Sequence, residues 1–212
     1  MQMIIIAGKA GAGKTTLANI IAKEAFDCGL VPVISSFVTR LKTEAEEKGY
    51  DKKKFPEKYR EYCQKTGDSI REEDPDYWVN LFKEDVQVTL EEEKESLLQG
   101  NKYWERCIIV DDCRYTNEID YGLGENAVML FITTGKRKLE DYPWRTHKSE
   151  YIASYIESPE GTEYRNLFNH IIFNDKTIQH LEKRISNMVP LWCGVRLRGE
   201  GDDVMCDCAG CR

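Results

Sequence analysis

Met3-Ile4-Ile5-Ile6-Ala7 runs directly into Gly8-Lys9-Ala10-Gly11-Ala12-Gly13-Lys14-Thr15, followed by Thr16 and a helical pattern. A short, wholly apolar run reads as a strand buried on both faces. The next eight residues fit G-x-x-x-x-G-K-[ST], the Walker A pattern, in the strand–loop–helix context that gives it meaning. Glycines let successive N–H groups turn inward, and the following helix adds its positive N-terminal end. That makes a cradle for a dense anion. Lys14 is expected to reach the β- and γ-phosphates of a bound triphosphate, and Thr15 to hold Mg²⁺ through its hydroxyl.

Outward from this loop, the sequence alternates strand and helix. Lys14 to Cys28 has apolar residues at helical spacing, with Gly29 as the stop. Val31 to Ser36 is predicted as a second strand and the stretch ending at Lys48 as a helix. Asp51 to Tyr59, with three consecutive lysines, is expected to be a solvated surface segment. Tyr59 to Ile70 and Pro75 to Leu98 are predicted helices; Trp78, Val79, Phe82, Val86 and Leu90 form an apolar stripe that reads as core. Arg106 to Val110 is a strand that ends in Asp111-Asp112, as a Walker B strand does. A short helix at 118–121, strands at Ala127–Thr133 and His170–Asn174, and helices at 149–158, 163–168 and 178–188 complete the pattern. The predicted fold class is α/β, one parallel sheet with helices on both faces.

Composition limits the possible partners. The net charge of −7 argues against a general polymeric nucleic-acid surface, while local lysines and arginines still permit a small anionic substrate. The sequence has no apolar run of membrane-spanning length and no signal-peptide pattern. A cytoplasmic protein with reduced thiols is therefore expected, in the host cytoplasm if it is viral, and a homodimer is allowed.

Several blocks together resemble the phage-type deoxynucleoside monophosphate kinases of the P-loop nucleoside monophosphate kinase-like superfamily. They are Gly8–Thr16, Ser36-Phe37-Val38-Thr39-Arg40-Leu41-Lys42, Gln64-Lys65-Thr66-Gly67-Asp68 through Arg71, and Asp74-Pro75-Asp76-Tyr77-Trp78. Further along come Ile109-Val110-Asp111-Asp112-Cys113-Arg114-Tyr115-Thr116-Asn117-Glu118, His147-Lys148-Ser149-Glu150 and Ile171-Ile172-Phe173-Asn174-Asp175. The likeness spans about residues 3–188; Asp-x-Arg-x-x-Asn-Glu and Asp-Pro-Asp-x-Trp are its narrow parts.

The resemblance implies a kinase domain over 1–190, an acceptor-binding helical part about 36–100 and a lid about 134–148; a cysteine-rich tail at 191–212 follows the domain. It implies ATP as donor and a deoxynucleoside monophosphate as acceptor, in deoxynucleotide biosynthesis. Ala10, Gly11, Ala12, Gly13, Lys14, Thr15 and Thr16 would hold ATP. Ser36, Lys42, Arg71, Asp112 and Arg114 would serve the acceptor, and Thr15 with Asp112 would hold Mg²⁺, partly through water. Lys14, Arg114 and the lid residues Arg137 and Arg145 would carry catalysis. The sequence departs from the family at Arg40, in the charged insert at 49–58 and in the tail.

Phosphoryl transfer to a phosphate acceptor needs positioning and charge neutralisation rather than a base. Two alternatives stay open: another P-loop small-molecule kinase, acting on a nucleoside or metabolite, and a P-loop ATPase or GTPase switch. The Asn-Lys-x-Asp sequence typical of GTPases is not found. The basic stretch 136–147 reads either as a flap over the nucleotide or as a solvated charge run; its place after a sheet strand favours the flap. Cys193, Cys206, Cys208 and Cys211 read either as a structural Zn²⁺ site or as free thiols of a tail.

Overall fold

The structure is a computed structural model and describes residues 1–99, 105–135 and 146–194. Its centre is a five-stranded, all-parallel sheet. The strands are β1 (Gln2–Ala7), β2 (Val31–Ser35), β3 (Arg106–Cys113), β4 (Val128–Thr133) and β5 (His170–Phe173), in spatial order β2-β3-β1-β4-β5.

Nine α-helices occur among the described residues: α1 (Lys14–Asp27), α2 (Thr39–Glu47), α3 (Pro56–Glu73), α4 (Tyr77–Leu98), α5 (Thr116–Gly124), α6 (Tyr151–Glu157), α7 (Thr162–Arg165), α8 (Ile178–Ser186) and α9 (Val189–Trp192). A 3₁₀ turn, Lys148–Glu150, leads into α6.

Successive residues of a strand point to opposite sides, so an apolar run feeds two cores. Ile4 and Ile6 pack with Leu17 and Ile21 of α1, Leu181 and Ile185 of α8 and Trp192 of α9. Ile5 and Ala7 pack with Phe82 of α4, Ile119 of α5 and Ile152 of α6. Ile5 is fully buried, and truncating such a side chain to alanine typically costs about 2–5 kcal/mol. Gly29, at φ 83°, ends α1 in a conformation that favours glycine.

The segment containing α2, α3 and α4 stands between β2 and β3. An aromatic trio ties it down: Phe37 lies 4.8 Å from Phe82 and 5.9 Å from Tyr121, ring centre to ring centre. Such tilted and edge-on pairs add to the burial itself. Arg40 sits on the outer surface of α2, with Nη2 2.6 Å from Asp85 of α4. The family departure at Arg40 is thus a surface ion pair. Lys52, Lys53 and Lys54 are exposed, as a solvated insert should be.

Among the differences from the sequence prediction, three have a plain physical reason. Helix α3 begins at Pro56 rather than Tyr59, because proline suits a helix's first turn. Strand β3 runs on to Cys113, where it pairs with Ala7 across a register shift. Helix α9 is additional, a single turn opened by Val189-Pro190 and too short to show periodicity. No described helix is long and apolar enough to cross a membrane.

Candidate active site

The strand order turns back at β1, whose neighbours are β3 on one side and β4 on the other. In open parallel sheets the crevice at the carboxyl ends beside such a point receives ligands. The Gly8–Thr15 loop lies at this place. Gly13, at φ 103°, is the N-cap of α1, and the first turn of α1 holds no acidic residue. The loop is packed from behind: a Cβ on Gly8 would lie 2.4 Å from the Ile132 carbonyl oxygen, and one on Gly13 2.5 Å from Asn174 Nδ2. Asn174, beyond β5, donates to the Ala12 carbonyl at 2.9 Å.

Lys14 is buried and folds back on its own loop, donating to the Gly8 carbonyl at 2.6 Å and the Lys9 carbonyl at 3.0 Å. Burial and the nearby Arg114 charge lower its pKa to about 7, against the pull of Glu150, Asp112 and Asp111. The lysine is therefore poised to gain a proton when an anion arrives.

The two aspartates ending β3 separate. Thr15 Oγ1 donates to Asp111 Oδ2 at 2.8 Å. Asp112 turns the other way: Lys42 Nζ reaches its Oδ2 at 2.9 Å, the Ser36 hydroxyl donates to the same oxygen, and the Phe37 N–H reaches Oδ1 at 3.2 Å. Burial works against the Asp112 carboxylate, yet Lys42, Ser36 and Arg114 hold its pKa below the usual range. Lys42 is likewise held charged, with Asp112 outweighing the effect of burial.

Thr15, expected to share Mg²⁺ with Asp112, is hydrogen-bonded to Asp111, the neighbouring carboxylate. Period two in the strand carried the signal. Ile109 belongs to the α1-side core and Val110 to the opposite one. Two residues on, Asp111 follows Ile109 and Asp112 follows Val110. A hydroxyl and a carboxylate at this spacing are the hard oxygen donors that Mg²⁺ prefers, so these residues fit the ion.

Arg114 is paired with Glu150. Burial opposes its charge, but Glu150 and Asp112 outweigh burial and raise its pKa. Arg71 lies 4.0 Å above the Tyr115 ring, and its Nη2 is 3.3 Å from Glu118 Oε1. Glu118 also caps the start of α5, accepting the Arg114 N–H at 2.6 Å and the Tyr115 N–H at 3.1 Å. Its burial, eased by Arg71 and reinforced by Asp112, raises its pKa to about 7.

The narrow blocks of the sequence meet here. Asn117 Nδ2 donates to Pro75 O and to Asp76 Oδ1, both at 2.9 Å, and Trp78 Nε1 donates to Gly67 O at 3.3 Å. The start of α5 is thereby joined to the turn between α3 and α4. Beside it, an open groove of about 850 Å³ runs between α3 and residues 146–148, with Arg60, Gln64, Lys65 and Asp68 among its lining.

Ser36, Lys42, Asp112, Arg114 and Arg71 therefore cluster at the end of β3, near Lys14 and Thr15. Ala10, Gly11, Ala12, Gly13 and Thr16 lie in or directly beside the loop. Arg137 and Arg145 lie outside the described residues, as do Cys206, Cys208 and Cys211. Cys193 is buried, and its thiol interacts with Cys107 of β3. Among the described residues no group of three or more His, Cys, Asp or Glu could hold a metal, so the Zn²⁺ reading gains no support. Glu150, Glu118 and Asp68 had no role in the sequence reading, and Asp111 only that of one carboxylate of the Walker B pair. Asp68 receives His147 Nε2 at 2.8 Å and Lys148 Nζ at 3.4 Å.

The parallel sheet, the glycine loop and the Thr15–Asp111 pair define a P-loop NTPase. More narrowly, the chain belongs to the AAA domain family, whose model matches residues 4–137. Membership makes it an ATP-binding P-loop kinase or NTPase. No curated protein matches the chain.

Proposed function

We propose that the protein transfers the terminal phosphoryl group of ATP to a deoxynucleoside monophosphate, giving ADP and the diphosphate. The observation that carries this reading is a second anion-handling cluster beside the first. Lys42, held by Ser36 and Asp112, and Arg71, paired with Glu118, come from the α2–α4 segment, and Arg114 follows the end of β3. A nucleotide switch has no need of two such centres, whereas a kinase must bring two phosphates together. The meeting of the Asp112-to-Glu118 and Asp74-to-Trp78 blocks supports the same reading.

The mechanism follows from charge. Loop amides and Lys14 would hold the β- and γ-phosphates, and Thr15 with Asp111 would hold Mg²⁺. Bound there, Mg²⁺ supplies neutralisation of the developing charge. Lys42, Arg71 and Arg114 would orient the acceptor phosphate for in-line attack on the γ-phosphorus. Its oxygen is already ionised at neutral pH, so no base is required. The bond to the β-phosphate oxygen breaks, and ADP leaves with that electron pair.

The test is a steady-state assay with ATP, Mg²⁺ and each common dNMP and NMP in turn. ADP formed in step with a deoxynucleoside diphosphate is the expected outcome. ADP release that no monophosphate stimulates would overturn the kinase reading. Stimulation by nucleosides or other small metabolites instead would move it to another P-loop kinase.

A further inference from the structure

Glu150 is a buried acid among groups that serve anions, 4% exposed at the end of the turn before α6. One carboxylate oxygen accepts the Ala10 N–H at 2.7 Å. The other is paired with the Arg114 guanidinium. Ala10 belongs to the phosphate loop, and Arg114 directly follows the strand that carries the two aspartates. An inward loop amide and a half-buried arginine are the donors a phosphoryl oxygen takes. Here one internal anion takes both.

The turn bearing Glu150 is also fastened to the opposite wall. Ser149 N–H donates to His147 Nδ1 at 3.2 Å, and His147 Nε2 lies 2.8 Å from Asp68 of α3. Lys148 Nζ lies 3.5 Å from Glu72 on the same helix. The carboxylate is thus held in place rather than resting there by chance, and its charge acts on Lys14 together with those of Asp112 and Asp111.

We propose that Glu150 is a built-in competitor for phosphate: it occupies the Ala10 amide and Arg114 until a phosphoryl group displaces it, whereupon Arg114 passes from the carboxylate to the substrate. The inference rests on the reading that this loop and Arg114 receive phosphoryl groups. A carboxylate and a phosphate cannot share the same two donors without strong like-charge repulsion. Loading must therefore separate Glu150 from at least one of them.

Glu150→Gln tests this with little change of shape. The amide oxygen can still accept the Ala10 N–H, while the amide NH₂ no longer attracts Arg114. Wild type and variant are titrated calorimetrically with inorganic pyrophosphate and with ATP. The expected result is binding about five- to tenfold tighter in Glu150→Gln for both ligands. Equal or weaker binding would overturn the proposal, because a carboxylate that merely props Arg114 in a binding position would weaken affinity when neutralised. Should Glu150→Gln fail to fold, Glu150→Asp serves: it keeps the charge but falls one methylene short of spanning both donors, and tighter binding is again expected. Failure of the wild type to bind either ligand would sink the reading of the loop itself, a distinct result.

Discussion

Binding of ATP at pH 8 is expected to draw a proton from solution, and the amount can be worked from Lys14. Its pKa is lowered to about 7, so at pH 8 about one-tenth of the molecules carry the ammonium. A triphosphate laid against Nζ supplies the negative charge that burial withholds and returns the pKa toward its ordinary value of 10.5. Each binding event should then take up about 0.9 proton at pH 8 and about 0.1 at pH 6, from the same titration arithmetic. The higher pH lies well above the last phosphate ionisation, near about 6, so the ligand's own protons do not confuse the count. The assay is calorimetry in buffers of different ionisation enthalpy, whose apparent heats give the protons exchanged. Lys14→Arg is the control, since a guanidinium stays charged throughout. Uptake near zero in wild type at pH 8, or equal uptake in Lys14→Arg, would refute the assignment to Lys14.

Other predictions follow from the same geometry. Lys14→Ala should lower phosphoryl transfer by at least about 10²-fold, as removal of a preorganised charge from such sites does, in a steady-state assay. Asp111→Asn should raise the Mg²⁺ concentration needed for half-maximal activity, whereas Asp112→Asn should chiefly raise KM for the acceptor by freeing Lys42. Equal effects on both parameters would contradict the division between the two aspartates. Gly8→Ala should unfold at markedly lower denaturant, since its Cβ would meet a backbone carbonyl oxygen at 2.4 Å. Glu118, with its pKa raised to about 7 from 4.5, binds more protons in the native state than in the unfolded one between those values. Its contribution to stability is therefore fully present below the lower value and lost as pH rises through the upper. Glu118→Gln should flatten that part of a urea-midpoint profile against pH.

The fold was legible because the central strands are buried on both faces. Runs such as Met3–Ala7 and Arg106–Val110 have no polar alternation to blur them, and glycine marks the loop and the end of α1. The backbone of the candidate site was legible where a motif fixes it, as at Lys14 and Thr15. It was less so where a choice depends on side-chain direction. Asp111 and Asp112 are adjacent in sequence, and only their phase against Ile109 and Val110 separates them. Glu150 lies 140 positions from Ala10, and a single glutamate in a charged stretch gives no local signal of so distant a partner. Helix α9 was missed because one turn containing a proline shows no periodicity.

The split at the end of β3 has a consequence for how this protein can change. One peptide step, about 3.3 Å of backbone, divides the carboxylate beside Thr15 from the carboxylate beside Lys42. Deleting a single residue in Arg106–Val110 would carry Asp112 into the place of Asp111 and Cys113 into that of Asp112, and turn flanking apolar side chains to the opposite core. On the proposed kinase reading, substitutions can retune either substrate alone, but a change in spacing must disturb both partners of the reaction together.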